Sequence, residues 1–367
     1  MKHLEINTNN KLTIKFFSKY DIDGASTRYR FHQYFKFFEK EGISCSISAL
    51  FTMGDLDVFY KSGRRPYFRL LYLFAKRVLA LLRINSKNVD FVVIYTELFP
   101  YFPSFFETFL KLKKIPYLLD YDDAIFHQYD RHKSRFIRLA LGRKIAKIIK
   151  KSEVVIVGSK YLADYALKSG SRRVEIIPTV VDMDNYPISN KQKNSVFTIV
   201  WIGSPSTAKY LHDISPALIE VCKGRNIIVR LIGAGEIDLI GVNYESLSWS
   251  KEKEFNLLNE CHVGIMPLPD TPWAAGKCNL KMIQYMACGL PVVASPVGMN
   301  IELVDKDKNG YLAKTNKDWT RNLIKLYDNP DLLSTMGNLG RRKVEDRYSL
   351  HKQYPRYINI LKSIGKK

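Results

Sequence analysis

Lys277 and Lys281 stand four residues apart in GKCNLKMIQYMACG, behind Gly276 and on either side of Asn279. At that spacing they share one face once a helix has begun. A helix N-terminus with cations beside it is a seat for phosphate, because its unpaired N–H groups and its dipole both favour negative charge. Ala274, Ala275 and Gly276 let a ligand approach the backbone closely. A second seat is written in WIGSPSTAKYL, where a strand ends at Gly203. Ser204, Ser206 and Thr207 then carry N-cap chemistry, and Lys209 follows. The plain alternative for both segments is an ordinary strand–helix turn with solvated lysines.

Other groups stand at strand ends. Gly233 and Gly235 in LIGAGEID follow an apolar run, but GxGxxG is incomplete, which argues against a dehydrogenase. Trp249 and Glu252 precede the strand-like VGIMPL, with core packing as the alternative for Trp249. Nearer the N-terminus, Gly24 and Arg28 lie in the loop DIDGASTR. Asp120, Asp122 and Asp123 form the densest acid cluster, with His127 four residues on. Three carboxylates could bind a metal or serve as a base; capping of the following basic helix is the competing reading. Tyr95-Thr96-Glu97 ends a further strand.

The elements that would position these groups alternate. Strands are expected at Leu12–Phe17, Ile43–Leu50, Phe91–Tyr95, Tyr117–Asp120, Val154–Val157 and Val174–Ile177, with one helix over Thr27–Lys40 and others at Phe105–Leu112 and Ser159–Lys168. A polar stretch, Ser189–Ser195, reads as a linker. The alternation restarts at Phe197–Gly203 and continues at Ile227–Ile232, Val263–Met266 and Pro291–Ala294. Gly289 and Pro291 stop the helix begun near Leu280. Alternating strands and helices predict parallel sheets covered on both faces. The expected domains are 1–190, 191–345 and a C-terminal helix over 346–367 with Leu350, Tyr354, Tyr357, Ile358 and Leu361 at helical spacing.

MACGLPVVASPVG, with GKC-x-x-K-x-x-QYMA before it, resembles the helix–turn–strand that closes the donor site in retaining GT-B glycosyltransferases of family 4, the glycosyl transferases group 1. The resemblance implies an α/β GT-B fold: two doubly wound Rossmann-like domains facing across a cleft, the first binding acceptor and the second a nucleotide sugar. Most members carry two glutamates eight positions apart. Here those positions hold Gly276 and Gln284, so the chain resembles a variant subgroup without the pair. Members also carry an arginine after the first strand's glycine, where Ser204 stands, and a lysine where Lys209 stands. An amide at 284 removes negative charge near the diphosphate, which would offset that missing arginine. The resemblance implies Lys209, Lys277 and Lys281 as the groups stabilising the leaving diphosphate. It assigns Gly203, Ser204, Thr207, Gly233, Trp249, Glu252, Gly276, Asn279 and Gln284 to the donor. Gly24, Arg28, Asp122, Asp123 and His127 go to the acceptor or sugar. No metal and no cofactor is expected; the nucleotide sugar is a co-substrate. The expected reaction is sugar transfer to a carbohydrate or lipid-linked glycan in cell-surface polysaccharide synthesis, with retention. The alternatives are a non-catalytic or nucleic-acid-associated protein on a decayed scaffold, and a GT-B nucleotide-sugar 2-epimerase.

Length and composition bound the rest. The 367 residues suffice for two domains, and 46% apolar with 25% charged residues marks a globular chain. Five scattered cysteines without a CxxC pair fit a reducing compartment. The N-terminal residues lack a signal-peptide core, and Phe68–Leu82 is interrupted by Arg69, Lys76 and Arg77. A cytoplasmic protein is therefore expected. The net charge of +21 needs a partner. Tyr60–Lys87 mixes Lys61, Arg64, Arg65, Arg69, Lys76, Arg77, Arg83 and Lys87 with aromatic residues and holds no acid, and Arg131–Lys151 is also strongly basic. Such segments suit an anionic membrane face. Solvated basic helices are the plain reading, and nucleic acid is not the expected partner.

Overall fold

A computed structural model describes residues 12–22, 24–52, 54–55, 58, 67–188 and 195–365. Residues 189–194 of the expected Ser189–Ser195 linker and the basic residues Lys61, Arg64 and Arg65 lie outside the described residues. The chain divides into two compact units: residues up to Thr179 with Gln353–Lys367, and Val180–Lys352. Val180–Ile188 side with the second unit because Val181 bridges Ser349 and Tyr186 bonds Glu254 there.

The first unit holds strands β1 (Leu12–Tyr20), β2 (Ile43–Phe51), β3 (Phe91–Tyr95), β4 (Tyr117–Tyr121), β5 (Val154–Val157) and β6 (Val174–Ile176). Their order is β2-β1-β3-β4-β5-β6 and every pairing is parallel. β3, β4 and β5 are buried along their whole length, as parallel strands covered by helices on both faces must be. The order reverses between β1 and β3, and ligands of open α/β sheets sit at such switch points.

The helix expected over Thr27–Lys40 is broken into Ala25–Arg30, a 3-10 turn at His32–Tyr34, and Phe35–Lys40. Phe31 causes the break: it leaves helical geometry (φ −147°) to bury its ring against Phe16, centroids 5.2 Å apart. Helix Leu350–Gly365 supplies this unit with Tyr354, stacked on Phe37 at 4.2 Å, and Tyr357, edge-on to Tyr34 and Phe38.

The basic segments are less superficial than their composition predicts. Arg131–Lys151 splits into helices Arg135–Leu141 and Lys144–Lys151. Lys144 turns inward, donating to the Glu97 carboxylate and to the Phe99 carbonyl. Arg77 is also buried, its Nη2 donating to the carbonyls of Ser18 (2.7 Å) and Ser48 (2.9 Å).

The second unit holds β7 (Phe197–Ile202), β8 (Ile227–Ile232), β9 (Tyr244–Leu247), β10 (Val263–Met266), β11 (Val292–Ala294) and β12 (Gly310–Leu312). The order is β12-β11-β10-β7-β8-β9, again parallel, with the reversal between β7 and β10. The two edge strands were not foreseen. YESL is polar and partly exposed, and GYL, though largely buried, is only three residues long, so neither carries the apolar run that marks the inner strands. Among the described residues no helix is long and apolar enough to cross a membrane. All five cysteines are free thiols.

Candidate functional site

In the second unit, β7, β8 and β9 lie side by side, and the start of helix Leu280–Ala287 reaches the carboxyl end of β7. Tyr285 fixes that helix to the sheet: its hydroxyl accepts from the Ile202 N–H at 2.9 Å. One turn earlier, Lys281 reaches Gly203. A Cβ added at Gly203 would stand 2.3 Å from the Lys281 ammonium and 2.6 Å from the Trp201 ring, so only glycine leaves room for this lysine. The Lys281 ammonium lies 4.2 Å from the Trp201 ring centroid and donates to Thr207 Oγ1 at 3.2 Å. Its packing among these groups, and then the positive charge of Lys277, push its pKa down to about 7. A desolvated cation next to a second cation is held at a cost that an incoming anion would remove.

Gly233 completes the floor. Its φ is +75°, and a Cβ there would stand 2.5 Å from the Gly203 carbonyl and 3.1 Å from Trp249 Cβ. Thus Gly203, Thr207, Gly233, Trp249 and Lys281 converge, with Lys277 near enough to act on Lys281 by charge. Ser204 pairs its hydroxyl with Ser206 Oγ at 2.9 Å. Lys209 is exposed, its ammonium 5.6 Å from the ring of its neighbour Tyr210. Gly276 is buried at the end of the short helix Pro272–Ala275.

Asn279 begins the next helix in left-handed geometry (φ 51°). Its Nδ2 donates to Asn300 Oδ1 at 2.7 Å, and Asn300 Nδ2 donates to the Ser295 carbonyl at 2.8 Å. The carbonyl can only accept, so the relay sets both amides and leaves Asn279 Oδ1 as a buried acceptor with no hydrogen bond. That atom suits a hydroxyl, not a phosphate oxygen.

The acid beside Trp249 is Glu254. Trp249 Nε1 donates to Glu254 Oε2 at 2.6 Å, and Gln284 Nε2 donates to Glu254 Oε1 at 2.6 Å. Glu252 is fully exposed. Its own backbone N–H and then the Ser250 hydroxyl hold its carboxyl below the usual range. Glu254 was legible in one respect. It shares a helix face with Leu258 in KEKEFNLLN, and an acid inside an apolar stripe is a signal of a buried role.

In the first unit, Gly24 and Ser26 follow β1, Thr96 and Glu97 follow β3, and Asp122 and Asp123 follow β4. Tyr95 donates its hydroxyl to Asp122 Oδ1. Thr96 sits at φ 69°, a conformation that a β-branched residue rarely holds. The acid cluster is divided. Asp120 turns into the core, where Arg30 Nε donates to it at 2.8 Å and Tyr357 Oη at 3.3 Å. Burial raises its pKa, which the Arg30 guanidinium opposes. Asp122 and Asp123 remain half-exposed just past the carboxyl end of β4. His127 has both ring nitrogens engaged, Nδ1 with Asp130 and Nε2 with Tyr161. Arg28 is half-exposed and stacks its guanidinium 5.1 Å from the Tyr29 ring.

A cavity of about 690 Å³ opens at the carboxyl ends of β10, β11 and β12, among Asp213, Asp270, Ser295, Lys314, Thr315 and Trp319. Lys209, Lys277, Lys281 and Gln284 do not line it. Asp182, Asp184 and His351 bring potential metal-ligand atoms within 4.8 Å of one another, with Asp184 and His351 exposed.

Residues 196–329 match the family described as Glycosyl transferases group 1. An uncharacterized glycosyltransferase of Methanocaldococcus jannaschii is 23% identical over 60% of this chain, a stretch that spans 62% of that protein. Sucrose-phosphate synthase from Thermosynechococcus elongatus superposes with a TM-score of 0.72 at 13% identity, covering 96% of this chain and 99% of that one. Anabaena HepE in complex with UDP-glucose gives 0.65 at 16% identity, covering 96% and 100%. At these identities the solved structures bear on fold alone: the chain has two Rossmann-like domains of GT-B type, and its residues 196–329 carry a Glycosyl transferases group 1 domain.

Proposed function

We propose that this protein is a retaining glycosyltransferase that takes a sugar from a nucleotide diphosphate donor. The observation that carries the reading is Lys281, packed against the Gly203 strand end and desolvated within reach of the charge of Lys277. That is a seat for an anion. As the bond from the anomeric carbon to the diphosphate oxygen breaks, negative charge grows on the departing phosphate, and fixed cations there lower the barrier. Lys281 holds that charge directly, and the Thr207 hydroxyl, which anchors the ammonium, fixes its position. Asn279 Oδ1 offers an acceptor to a hydroxyl of the sugar. In a front-face displacement the acceptor oxygen forms the new bond to the anomeric carbon, and its proton passes to the departing phosphate oxygen. No side chain need become covalently attached.

Acceptor recognition is assigned to the carboxyl edge of the first sheet, where Tyr95 and Asp122 form a hydrogen-bonded pair. The acceptor class we favour is a lipid-linked or free glycan. Helix Tyr67–Leu82 supports contact with a membrane surface: Phe68 is 85% exposed, with Tyr67, Leu71, Tyr72, Arg69 and Lys76 also exposed. On a separate basic helix, Arg135–Leu141, Phe136 and Leu139 stand 78% and 79% exposed. Apolar and basic side chains mixed on one exposed helix are the composition of an interfacial segment.

The test is a panel of UDP- and GDP-sugars, read by thermal shift and by release of nucleotide diphosphate with glycan acceptors. Binding raises apparent stability by mass action. Product NMR then reports the anomeric configuration. No stabilisation by any nucleotide sugar, together with salt-sensitive oligonucleotide binding, would overturn the reading.

A further inference from the structure

The cavity of about 690 Å³ at the carboxyl ends of β10, β11 and β12 is walled by residues of the second unit alone, and none of the groups assigned to the donor takes part. Its size is that of a ligand pocket. Two deeply set side chains meet it with a donor to spare. Trp319 is 2% exposed, yet among the described residues its indole N–H reaches no acceptor. That N–H is not one of the fully enclosed polar atoms that lack a partner, so it opens onto the cavity whose wall Trp319 forms. Ser295, 9% exposed, accepts from the Leu268 N–H at 3.0 Å and, among the described residues, gives its own hydroxyl hydrogen to no side chain or carbonyl. An unpaired buried donor is costly, and a ligand oxygen would satisfy it. At the rim, the side chains of Asp213, Asp270 and Asn316 are exposed and make no hydrogen bond or ion pair with the described residues.

Charge decides the class of ligand. The chain carries +21, but here two aspartates stand against Lys314 alone, so the lining is net negative. Helix Asn316–Tyr327 starts at the rim, but its start is not an open phosphate seat. Asp318 already accepts there from the Thr315 N–H at 3.0 Å and from Thr315 Oγ1 at 2.9 Å. A neutral ligand rich in hydroxyls fits instead. Its hydroxyls donate to the carboxylates, and its oxygens accept from the indole N–H and the serine. Pro267, Pro269 and Pro296 offer C–H surface to the apolar face of a sugar ring. We propose that this cavity is a saccharide-binding site, separate from the donor seat, that holds a unit of a neutral glycan. The proposal goes beyond the donor reading and stands without it.

The test is a titration of the nucleotide-free protein with neutral trisaccharides of glucose, mannose and N-acetylglucosamine. The readout is the indole N–H signals in proton–nitrogen correlation spectra. The chain has four tryptophans, and Trp319→Phe identifies the signal concerned. Should that variant fail to fold, Trp201→Phe, Trp249→Phe and Trp273→Phe identify it by elimination. At least one trisaccharide should move the Trp319 signal to saturation. Asp213→Asn combined with Asp270→Asn, both at exposed positions, should fold like the parent and weaken that binding about tenfold, since hydrogen bonds to charged acceptors are the stronger kind. A Trp319 signal indifferent to all three sugars overturns the proposal. So does one moved instead by inorganic phosphate or by spermine, and so does saccharide binding unchanged in the double aspartate variant. Each of these results leaves the donor reading standing.

Discussion

If Lys281 seats the donor diphosphate as proposed, donor binding should depend on pH in a way that can be worked out beforehand. In the free protein its pKa is about 7, lowered first by burial and then by Lys277. A diphosphate prefers the protonated lysine, so binding raises that pKa and takes up a proton above pH 7. Apparent affinity then scales with the protonated fraction, which is about 0.9 at pH 6, 0.5 at pH 7 and 0.09 at pH 8. Affinity should thus fall about tenfold from pH 6 to pH 8 and about tenfold more by pH 9, while staying flat below pH 6. The sign is opposite to that of a carboxylate whose ionisation aids binding. A nucleotide sugar is the right probe, because its diphosphate diester does not titrate in this range, whereas a free nucleoside diphosphate does. Calorimetry in buffers of different ionisation enthalpy should report close to one proton taken up at pH 8. Lys281→Arg keeps the charge at every pH and should abolish both the slope and the uptake. A wild-type affinity that is level from pH 6 to pH 9 would refute the reasoning, because a lysine that stays charged throughout cannot be the desolvated group described here.

Removing Lys281 to alanine should lower turnover by about 10²-fold at saturating donor, while Lys209→Ala, at an exposed position, should cost tenfold or less; steady-state kinetics at saturating donor separates the two. Gly233→Ala forces a side chain at φ +75° to within 2.5 Å of the Gly203 carbonyl and should destabilise the chain by about 1–3 kcal/mol, measured by denaturant unfolding, with donor affinity lost in the folded remainder. Replacing Phe68, Tyr72 and Lys76 with serine should weaken sedimentation with anionic vesicles, the lysine alone contributing on the order of 1 kcal/mol, without altering donor affinity; vesicle binding equal to the parent would remove this helix from any membrane contact.

Much of the fold was legible because parallel sheets write themselves in apolar runs. Phe91–Tyr95, Val154–Val157, Ile227–Ile232 and Val263–Met266 are strands with the expected bounds, each buried along nearly its whole length. What escaped was set by tertiary contacts. The break at Phe31 depends on a ring 15 residues away, Phe16, which no local periodicity reports. The edge strands Tyr244–Leu247 and Gly310–Leu312 owe their state to neighbours, not to composition. The basic runs were legible only in part for a related reason: sequence cannot tell a solvated lysine from Lys144, whose partner Glu97 lies 47 residues earlier in the chain.

The candidate site divides in the same way. Asn279 and Lys281 belong to one helix start, and the structure brings Lys281 to the Gly203 strand end, whereas Lys277 lies ahead of the helix, so the four-residue spacing does not place the two lysines on one helix face. The charge balance around Gln284 could not be read from the sequence. Sequence reasoning pairs the absent carboxylate at 284 with the absent arginine at 204, since both are departures from one pattern. The structure supplies a nearer counterpart: Glu254 stands 2.6 Å from the Gln284 amide, and Lys281 stands at Gly203 beside Ser204. The charges missing at 284 and 204 therefore each have a charged neighbour arriving from another element. Coupling should accordingly be large between 284 and 254 and small between 284 and 204, because interaction energies are concentrated in residues that touch. A site can keep its charges while losing its motif when packing, not spacing, decides which side chains meet.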